Sequence, residues 1–556
     1  MSTPNSSKLQ GAGYDRLLYS VAGLGGLLYG VDIGIIGAAL IYMGQAIQLT
    51  PSQQSILVAT VFGGSMVSSL VAGFLAGWLG RKKMIVASGA LYVVSVAVII
   101  SSYGFAHLFA GRLLLGISAG LIVVVVPLYL AECLPATSRG RGTSIFQFLL
   151  TLGIALGAFI GLFYTGHAEA AIKAANGSEA LIRDAANAAW HHMYLCVMVP
   201  AVLFSLGCLF LGESPRWLFQ RGRKAEALDE LRRNASEDMA QTQLREMEEL
   251  AAGSTSADGK KAGGSLLQRR YVIPFVLACI VLACNQASGI NSILSYLVII
   301  LKQAGMSAAR AGQGDVAVKL LNCLMTIVAV ALVERKGRKF LLTMGTGGMI
   351  VALFAAGFVY HGFESKRVDV RAELASRIAG GALTTPLGEM GGPGSAATPM
   401  ALSVVYNDGS KDDKMKSVLS TDADATLRLK AAEGGALTLK NAYYGPVPSE
   451  RTGWLVTGFV ALFIASFAVG PGVVAWLALS ELMPTRIRSA GMGIALLLNQ
   501  GISMALAGVF LPTVGHYGYY AMFWFWGACT IVYFVTATFF LPETKGKTLE
   551  EIEAGF

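Results

Sequence analysis

Residues 17–43 read LLYSVAGLGGLLYGVDIGIIGAALIYM, a run of 27 residues in which Asp32 is the only charged side chain. About 20 helical residues span the hydrocarbon core of a bilayer, so this stretch predicts a transmembrane helix. A carboxylate near the centre of such a helix costs about 2.5–3.5 kcal/mol on insertion scales. We therefore expect Asp32, as a lone acid among membrane helices, to have a function that outweighs this cost.

The rest of the chain has the same apolar character, with 54% hydrophobic and only 14% charged residues in 556. Soluble domains carry about 25% charged residues. The apolar runs do not alternate with period two, so they predict helices rather than strands of a barrel. The sequence therefore predicts an all-α membrane protein with twelve transmembrane helices, near 16–40, 53–76, 84–104, 108–131, 143–165, 191–211, 271–301, 312–333, 340–360, 453–479, 489–511 and 519–541.

Several classes of function are excluded by what the sequence lacks. The seven cysteines lie in or at the ends of the apolar runs, and no His/Cys cluster has metal-ligand spacing, so we expect no disulfide framework, metal or cofactor. No P-loop or HExxH motif indicates an enzyme. The net charge of +9 does not come with a basic face interleaved with aromatics, so we expect no nucleic-acid partner.

The placement of the basic residues predicts the orientation in the membrane. One set of connections contains clusters such as Arg81-Lys82-Lys83 and Arg335-Lys336, whereas the opposite connections at 41–52, 103–107 and 512–518 contain no Lys or Arg. The positive-inside rule places the basic connections and both termini in the cytoplasm. We expect a multi-pass protein of the plasma (inner) membrane.

Two hydrophilic segments interrupt the helices. Residues 212–269 are predicted to be a cytoplasmic linker of short amphipathic helices lying against the membrane domain, with a flexible stretch, STSADGKKAGG, at 254–264. Residues 362–452 are predicted to form an insert outside the cell. Because this insert contains the glycine-rich run GGALTTPLGEMGGPGSAATP, partial disorder is expected there.

The two halves of the chain repeat each other. GWLGRKK at 77–83 recurs as ERKGRKF at 334–340, and YLAECLPATSRG at 129–140 recurs as LALSELMPTRIRSAG at 477–491. The offset grows from 257 to 349 between the two motifs, a difference of 92 that is close to the length of the insert. We therefore expect two parallel six-helix halves with a ligand site between them, a plan typical of transporters. The expected division is 1–211, 212–269, 270–541 with the insert, and a cytoplasmic tail at 542–556.

Seven motifs together resemble the sugar porter branch of the major facilitator superfamily, which includes facilitative glucose transporters and a bacterial D-xylose–proton symporter. In chain order they are GRKK, PLYLAECLPATSRG, ESPRWL, QASGIN, ERKGRK, GPGVVAW and PETKGKTLEEI. The resemblance implies the major facilitator fold and a monomeric monosaccharide transporter that works by alternating access in the lipid bilayer.

Neutral amides inside the apolar helices predict a site for a small neutral sugar, because an amide offers both a donor and an acceptor to a hydroxyl. By resemblance, sugar contacts are expected from Gln147, Asn285, Gln286, Asn291, Asn322, Trp476, Asn499 and Gln500. Asn285, Gln500 and also Ser295 depart from the family, which has Gln, Trp and an aromatic at these places. The alternative is that the buried amides only bridge helices.

Asp32 and Arg112 are expected to lie at similar depth, since helix one runs outward and helix four runs inward. If Arg112 moves away as the two halves rock, Asp32 loses its counter-charge and binds a proton. This predicts a proton-coupling pair. The alternative is a fixed ion pair in a facilitative uniporter.

Opposite charges near the predicted cytoplasmic helix ends form, in this family, salt bridges that hold the outward-facing state. The matching residues are Arg81, Glu132, Arg139, Glu213 and Arg216 in the first half, and Glu334, Arg335, Arg338, Glu481 and Arg488 in the second. Gly77-Trp78 replaces a polar-basic pair of the family, which predicts a weaker first-half network.

Two helices contain residues that interrupt helical geometry. Gly289 in helix seven, and Gly470, Pro471 and Gly472 in helix ten, are expected to break their helices and act as gate hinges, a static kink being the alternative.

These observations predict a proton-coupled symporter of a hexose or pentose. The first alternative is an uncoupled uniporter. A sugar sensor is the second, but a sensor is expected to carry a long cytoplasmic signalling tail, and this sequence ends twelve residues after LPET.

Overall fold

The structure is a computed structural model. It describes residues 12–134, 136–233, 236–257, 269–390, 399–410, 412–420, 425–432, 434–483 and 488–544.

All twelve predicted stretches are helices that are long and apolar enough to cross a membrane, so the chain is an integral multi-pass membrane protein. The first half contains α1 (Ala12–Ile47), α2 (Pro51–Leu79), α3 (Arg81–Ile100), α4 (Phe105–Cys133), α5 (Ala136–Ala174) and α6 (Glu179–Leu209).

The linker after α6 is helical, as its composition predicts. It contains α7 (Pro215–Gln220), α8 (Lys224–Leu231) and α9 (Glu237–Ala257). The linker lies against the first half: Trp217 Nε1 donates to Gly77 O at 2.8 Å, and the Arg233 guanidinium lies 3.9 Å from the centre of the Tyr14 ring. Since α9 includes residues 254–257, the first part of the stretch predicted to be flexible is helical, and 258–264 lie outside the described residues.

The second half begins with α10 (Arg269–Ala287) and α11 (Ile290–Gln303), two pieces of one span that are separated at Ser288-Gly289. Two unbroken helices follow, α12 (Ala308–Lys336) and α13 (Arg338–Glu364).

The described residues of the insert form a folded β unit, and residues 391–398 of the glycine-rich run on which the expectation of partial disorder rests lie outside the described residues. One sheet has the order β1-β6-β3-β4 and a second sheet pairs β2 with β5, all antiparallel. The reason is alternation: every second side chain of strands such as 400–407 is apolar and joins a core that includes Leu402, Val404 and Leu427. The elements are β1 (Val368–Asp369), α14 (Arg371–Ser376), β2 (Ala382–Pro386), β3 (Met400–Asn407), β4 (Lys414–Leu419), β5 (Thr426–Lys430) and β6 (Thr438–Pro446).

The chain returns to the membrane in α15 (Glu450–Val469) and α16 (Pro471–Leu482), two pieces of the tenth span. The last two spans are α17 (Arg488–Tyr517) and α18 (Tyr519–Val535), and α18 is extended by a π-helical turn at Thr536–Phe540.

Described residues of the two halves contact one another on one side of the molecule. We call the membrane face that carries the insert the insert side. The opposite face, at which α1 begins and α18 ends, is called the terminal side. Hydrogen bonds between described residues join the halves, and three of them are Leu511 N to Ser55 Oγ at 3.1 Å, Lys319 Nζ to Gly34 O at 3.0 Å, and Gln500 Nε2 to Ser65 Oγ at 3.1 Å. All three lie in the middle or the insert-side part of their helices.

An apolar cluster completes this contact. It contains Ile36, Leu40 and Phe62 from the first half together with Leu297 and Phe510 from the second, all buried. The molecule is therefore closed on the insert side.

Candidate functional site

The break in the seventh span places three polar side chains in the middle of the second half. Gly289, between α10 and α11, has a φ of +82°, in the left-handed region that favours glycine. A Cβ at this position would collide with the indole ring of Trp526. The position therefore requires glycine, and the break brings Asn285 and Gln286 on α10 close to Asn291 on α11.

Gln286 is the centre of a buried amide cluster. Its Oε1 accepts from Asn291 Nδ2 at 2.9 Å and from Ser503 Oγ at 3.0 Å, and its Nε2 donates to Asn499 Oδ1 at 3.3 Å. Asn285 Nδ2 donates to the carbonyl of Pro471 at 3.1 Å, which links the cluster to the broken tenth span.

The structure thus brings together four of the predicted sugar contacts from α10, α11 and α17. Ser503 belongs to the same cluster and was missed from the sequence. The signal was its position four residues after Asn499, on the same face of α17. The amides link these helices through hydrogen bonds in the structure. A sugar hydroxyl can take the place of one partner in such a bond, because it both donates and accepts.

The other predicted contacts form no hydrogen bond with this cluster. Gln500 hydrogen-bonds across the molecule to Ser65 in α2. Asn322 is buried, Gln147 is half-buried and Trp476 is 43% exposed, and their side chains form none of the hydrogen bonds of the cluster.

Asp32 and Arg112 form a buried ion pair. Arg112 Nη1 lies 2.5 Å from Asp32 Oδ1, and the two residues are 2% and 3% exposed. The same nitrogen donates to the Tyr194 hydroxyl at 3.0 Å, and Arg112 Nε donates to Leu57 O at 3.2 Å. Helices α1, α2, α4 and α6 of the first half therefore enclose the pair, and Tyr194 is a partner that the sequence did not indicate.

A second buried ion pair, Asp315 and Lys319 on α12, makes the view of Asp32 as a lone membrane acid wrong. Lys319 Nζ lies 2.8 Å from Asp315 Oδ1 and 2.9 Å from Oδ2, and the two side chains are 0% and 2% exposed. The signal in the sequence was a pair of opposite charges four residues apart inside an apolar span.

On the terminal side, the first-half charges form a compact network. Arg81 Nη2 lies 2.7 Å from Glu132 Oε1. Glu213 Oε1 accepts from the backbone N–H groups of Arg81 and Lys82 at 2.8 and 3.0 Å, so Glu213 caps α3. Arg216 is exposed and lies outside this network.

The second half repeats this cap with a residue that sequence reasoning missed. Glu543 accepts from the backbone N–H groups of Arg338 and Lys339 at 3.0 and 3.1 Å. The signal was the loose match of PETKGK to GESPR. Arg335 is exposed. Four predicted charges have side chains outside the described part of the structure: Arg139, Glu334, Glu481 and Arg488.

Gly77-Trp78, which replaces a polar-basic pair of the family, is bound through its backbone carbonyls. Arg221 Nη2 donates to the carbonyls of Gly77 and Trp78 at 3.1 and 3.0 Å. The linker thus binds the end of α2 without an acid–base pair.

The tenth span breaks at Gly470. Helix α15 ends at Val469, Gly470 has φ −105° and ψ −95°, and α16 begins at Pro471. A Cβ on Gly470 would lie 2.5 Å from Leu341 O, so α13 packs directly against the break. Gly472 follows as the second residue of α16.

Comparisons with known proteins agree with this architecture. The family model described as "Sugar (and other) transporter" matches residues 18–385 and 435–556. The chain is 28% identical to the proton myo-inositol cotransporter of Homo sapiens, over 96% of this chain and 80% of that protein. It is 26% identical to the arabinose-proton symporter of Bacillus subtilis, over 97% of this chain and 95% of that protein.

A glucose transporter, GlcP of Staphylococcus epidermidis, is also 26% identical, over 97% of this chain and 96% of that protein. Among solved structures, the fold is similar to the partially occluded inward-open conformation of the xylose transporter XylE from E. coli. That match has a TM-score of 0.67 and 20% identity, and covers 97% of this chain and 100% of the other.

Proposed function

The chain belongs to the sugar porter family of the major facilitator superfamily and is a sugar transporter; from this premise we propose that it is a proton-coupled symporter of a neutral hexose or pentose that works by alternating access. The chain acts as a monomer in the plasma (inner) membrane, with both termini in the cytoplasm and the insert outside. The distribution of Lys and Arg among the connections supports this orientation.

The amide cluster around Gln286 supports a neutral, hydroxyl-rich substrate. Its partners Asn291, Asn499 and Ser503 are uncharged and offer both donors and acceptors. When a sugar binds there, hydrogen bonds to its hydroxyls replace these internal bonds, so few buried polar groups are left unpaired. Gln147, Asn322, Trp476 and Gln500 complete the proposed site from the surrounding helices.

The Asp32–Arg112 pair carries the proposal of proton coupling. A carboxylate held 2.5 Å from a guanidinium in a dry site keeps its charge only while that partner stays in place. Two of the relatives are named as proton-linked transporters, which supports the same mechanism.

The proposed transport cycle uses the dependence of the Asp32 charge on the position of Arg112. When the insert side opens, Arg112 separates from Asp32, and the carboxylate binds a proton from the outside as the sugar binds. When the insert side closes, Arg112 returns to Asp32 and the proton leaves toward the terminal side. The terminal-side charges hold the opposite closed state by pairing between the halves, whereas Arg81–Glu132, which is formed in this structure, ties α3 to α4 within the first half. The glycine breaks at Gly289 and Gly470–Gly472 serve as hinges.

The deciding experiment is sugar uptake by reconstituted vesicles under an imposed pH gradient. We expect accumulation above equilibrium in the parent protein, and its loss in Asp32→Asn with sugar exchange retained. Asp15→Asn, the same change at the terminal end of α1, is the matched control and should keep accumulation.

The uniporter alternative makes the opposite prediction, because an ion pair that stays fixed couples nothing. Equal sugar levels inside and outside the vesicles with the parent protein, or full accumulation by Asp32→Asn, would reject proton coupling at this pair.

A further inference from the structure

The contacts of the Asp315–Lys319 pair extend beyond α12, the helix that carries both residues. An ammonium group has three donors. Lys319 Nζ donates hydrogen bonds to Asp315 Oδ2 at 2.9 Å and to Gly34 O at 3.0 Å, and it lies 2.8 Å from Asp315 Oδ1 in an ion pair without a hydrogen bond to that oxygen. Two of these oxygens belong to α12, and the third belongs to α1 in the other half of the molecule.

This bond is unlike the other contacts between the halves. Leu511–Ser55 and Gln500–Ser65 join the halves through neutral groups, whereas the bond from Lys319 involves a charged group. It ends on Gly34, two residues after Asp32. Gly34 is packed so closely on α5 that a Cβ there would overlap the carbonyl oxygen of Ile154. The segment of α1 around Asp32 is therefore held by Arg112 from its own half and by Lys319 from the opposite half.

Stability alone does not account for an ion pair at this place. Two apolar residues of similar volume usually stabilise a buried site as well as an ion pair does or better. Ionisable residues inside membrane helices generally mark a functional element. Because the Lys319–Gly34 bond spans the halves on the side where they touch, any separation of the halves there must break it.

We propose that Lys319, charged and oriented by Asp315, is a latch that keeps the insert side closed by holding the Gly34 carbonyl. The inference rests on the alternating-access function proposed above. When the latch is released, water that enters between the halves hydrates the Lys319 ammonium and the Asp315 carboxylate. This hydration lowers the free-energy cost of breaking the bond to Gly34 O on α1. Asp315 keeps the ammonium in position on α12, so the bond re-forms when the halves close.

Accessibility of the closed interface tests the latch without requiring transport. Ala59 on α2 is buried and packs at the interface, where a Cβ on Gly508 of α17 would lie 3.4 Å from its Cβ. Ala59→Cys in the full-length protein would be labelled with a membrane-impermeant maleimide from the insert side, with the protein lacking this substitution as the blank for its native cysteines.

The first latch variant is Asp315→Asn/Lys319→Met, which removes both charges and leaves no unpaired ion. We expect its labelling rate to rise at least about tenfold, which corresponds to about 1.4 kcal/mol in the closing equilibrium. The second is the exchange Asp315→Lys/Lys319→Asp. It keeps both charges on α12 but leaves a side chain at 319 that cannot donate to Gly34 O, so we expect a similar rise.

The matched control is Arg310→Met, which removes an exposed ion pair with Glu450 within the second half. Its labelling rate should equal that of Ala59→Cys alone. Unchanged labelling in the exchange variant, with a normal elution profile in detergent, would overturn the latch. Because labelling is independent of substrate, an error in the proposed sugar or in proton coupling would appear only as absent uptake and would leave this result intact.

Discussion

At the scale of single residues, the two ion pairs inside the membrane differ in what they connect. Asp32 and Arg112 are enclosed by helices of one half, whereas Lys319 reaches a carbonyl of the other half. The first pair can change its protonation without a contact between halves, and the second pair cannot keep its bond once the halves part. This division supports separate roles in proton binding and in closure.

Removing one member of the first pair should be more harmful than removing both. We expect Arg112→Leu to destabilise the protein by about 3–5 kcal/mol, because it leaves the buried Asp32 without its counter-charge and its hydrogen-bond partner. The double variant Asp32→Leu/Arg112→Leu should recover much of that loss. Thermal unfolding in one detergent measures the difference, and equal melting temperatures for the single and double variants would contradict it.

Gln286 should dominate sugar binding among the amides, because its side chain makes four hydrogen bonds in the centre of the cluster. Gln286→Ala is expected to weaken binding of the preferred sugar by about 1–3 kcal/mol, the cost of leaving buried partners unpaired. A thermal-shift titration against a panel of hexoses and pentoses measures this loss. Gln313→Ala, at an exposed position on α12, is the control and should bind sugar like the parent.

At the scale of helices, the two halves use the same device where the second span of each meets the third. Gly80 and Gly337 have φ of +100° and +90°, and each is followed by a helix whose first N–H groups bind a distant glutamate, Glu213 or Glu543. The sequence repeat is therefore a repeat of backbone conformation and of helix capping, and not only of charge.

Alanine at Gly80 should destabilise the first half. The backbone there lies in a region that is almost restricted to glycine, and a Cβ would collide with the Glu213 carboxylate. We expect a loss of about 1–3 kcal/mol for Gly80→Ala, measured as a lower melting temperature. Gly73→Ala in α2 has open space around its Cβ and should leave the melting temperature unchanged or slightly higher. Equal changes in melting temperature for Gly80→Ala and Gly73→Ala would show that the backbone conformation and close packing of Gly80 do not cause the loss.

At the scale of the whole molecule, the insert is a body with its own core that is attached to the second half. Asn441 Nδ2 donates to Gly515 O at 3.4 Å and contacts His516 at 3.2 Å, at the end of α17. Glu364 at the end of α13 caps α18 through the N–H groups of Tyr519 and Tyr520. The family model skips residues 386–434, which lie within the insert.

Replacement of residues 366–447 by a short Gly-Ser linker should leave the twelve helices and the sugar site intact. The apolar core of the insert is separate from the cores of the membrane helices, so its removal exposes little of them. We expect sugar binding within about twofold of the parent protein, since no described residue of the insert belongs to the amide cluster, and thermal-shift titration measures it. Asn441→Ala, which removes only one tether, serves as comparison, and loss of binding in the deletion alone would show that the insert shapes the site.

Much of the architecture follows from the sequence because it depends on local properties. Hydropathy and length predict the twelve spans, repeated motifs predict the two halves, and Gly289 and Gly470 predict the broken helices. The amides of the proposed site and the Asp32–Arg112 pair were also predictable, since buried polar groups in apolar helices are few and must find partners.

Only the tertiary structure decided which of these groups meet. The Lys319–Gly34 bond, the position of Ser503 beside Gln286 and the Glu543 cap depend on how each helix is rotated and how deep it lies, and neither quantity is encoded in the periodicity of one segment. The β fold of the insert likewise arises from strands that pair over long separations around a common core. The sequence by itself therefore determined the spans, the halves and the polar inventory, whereas the packing between helices decided the partners and the closed insert side.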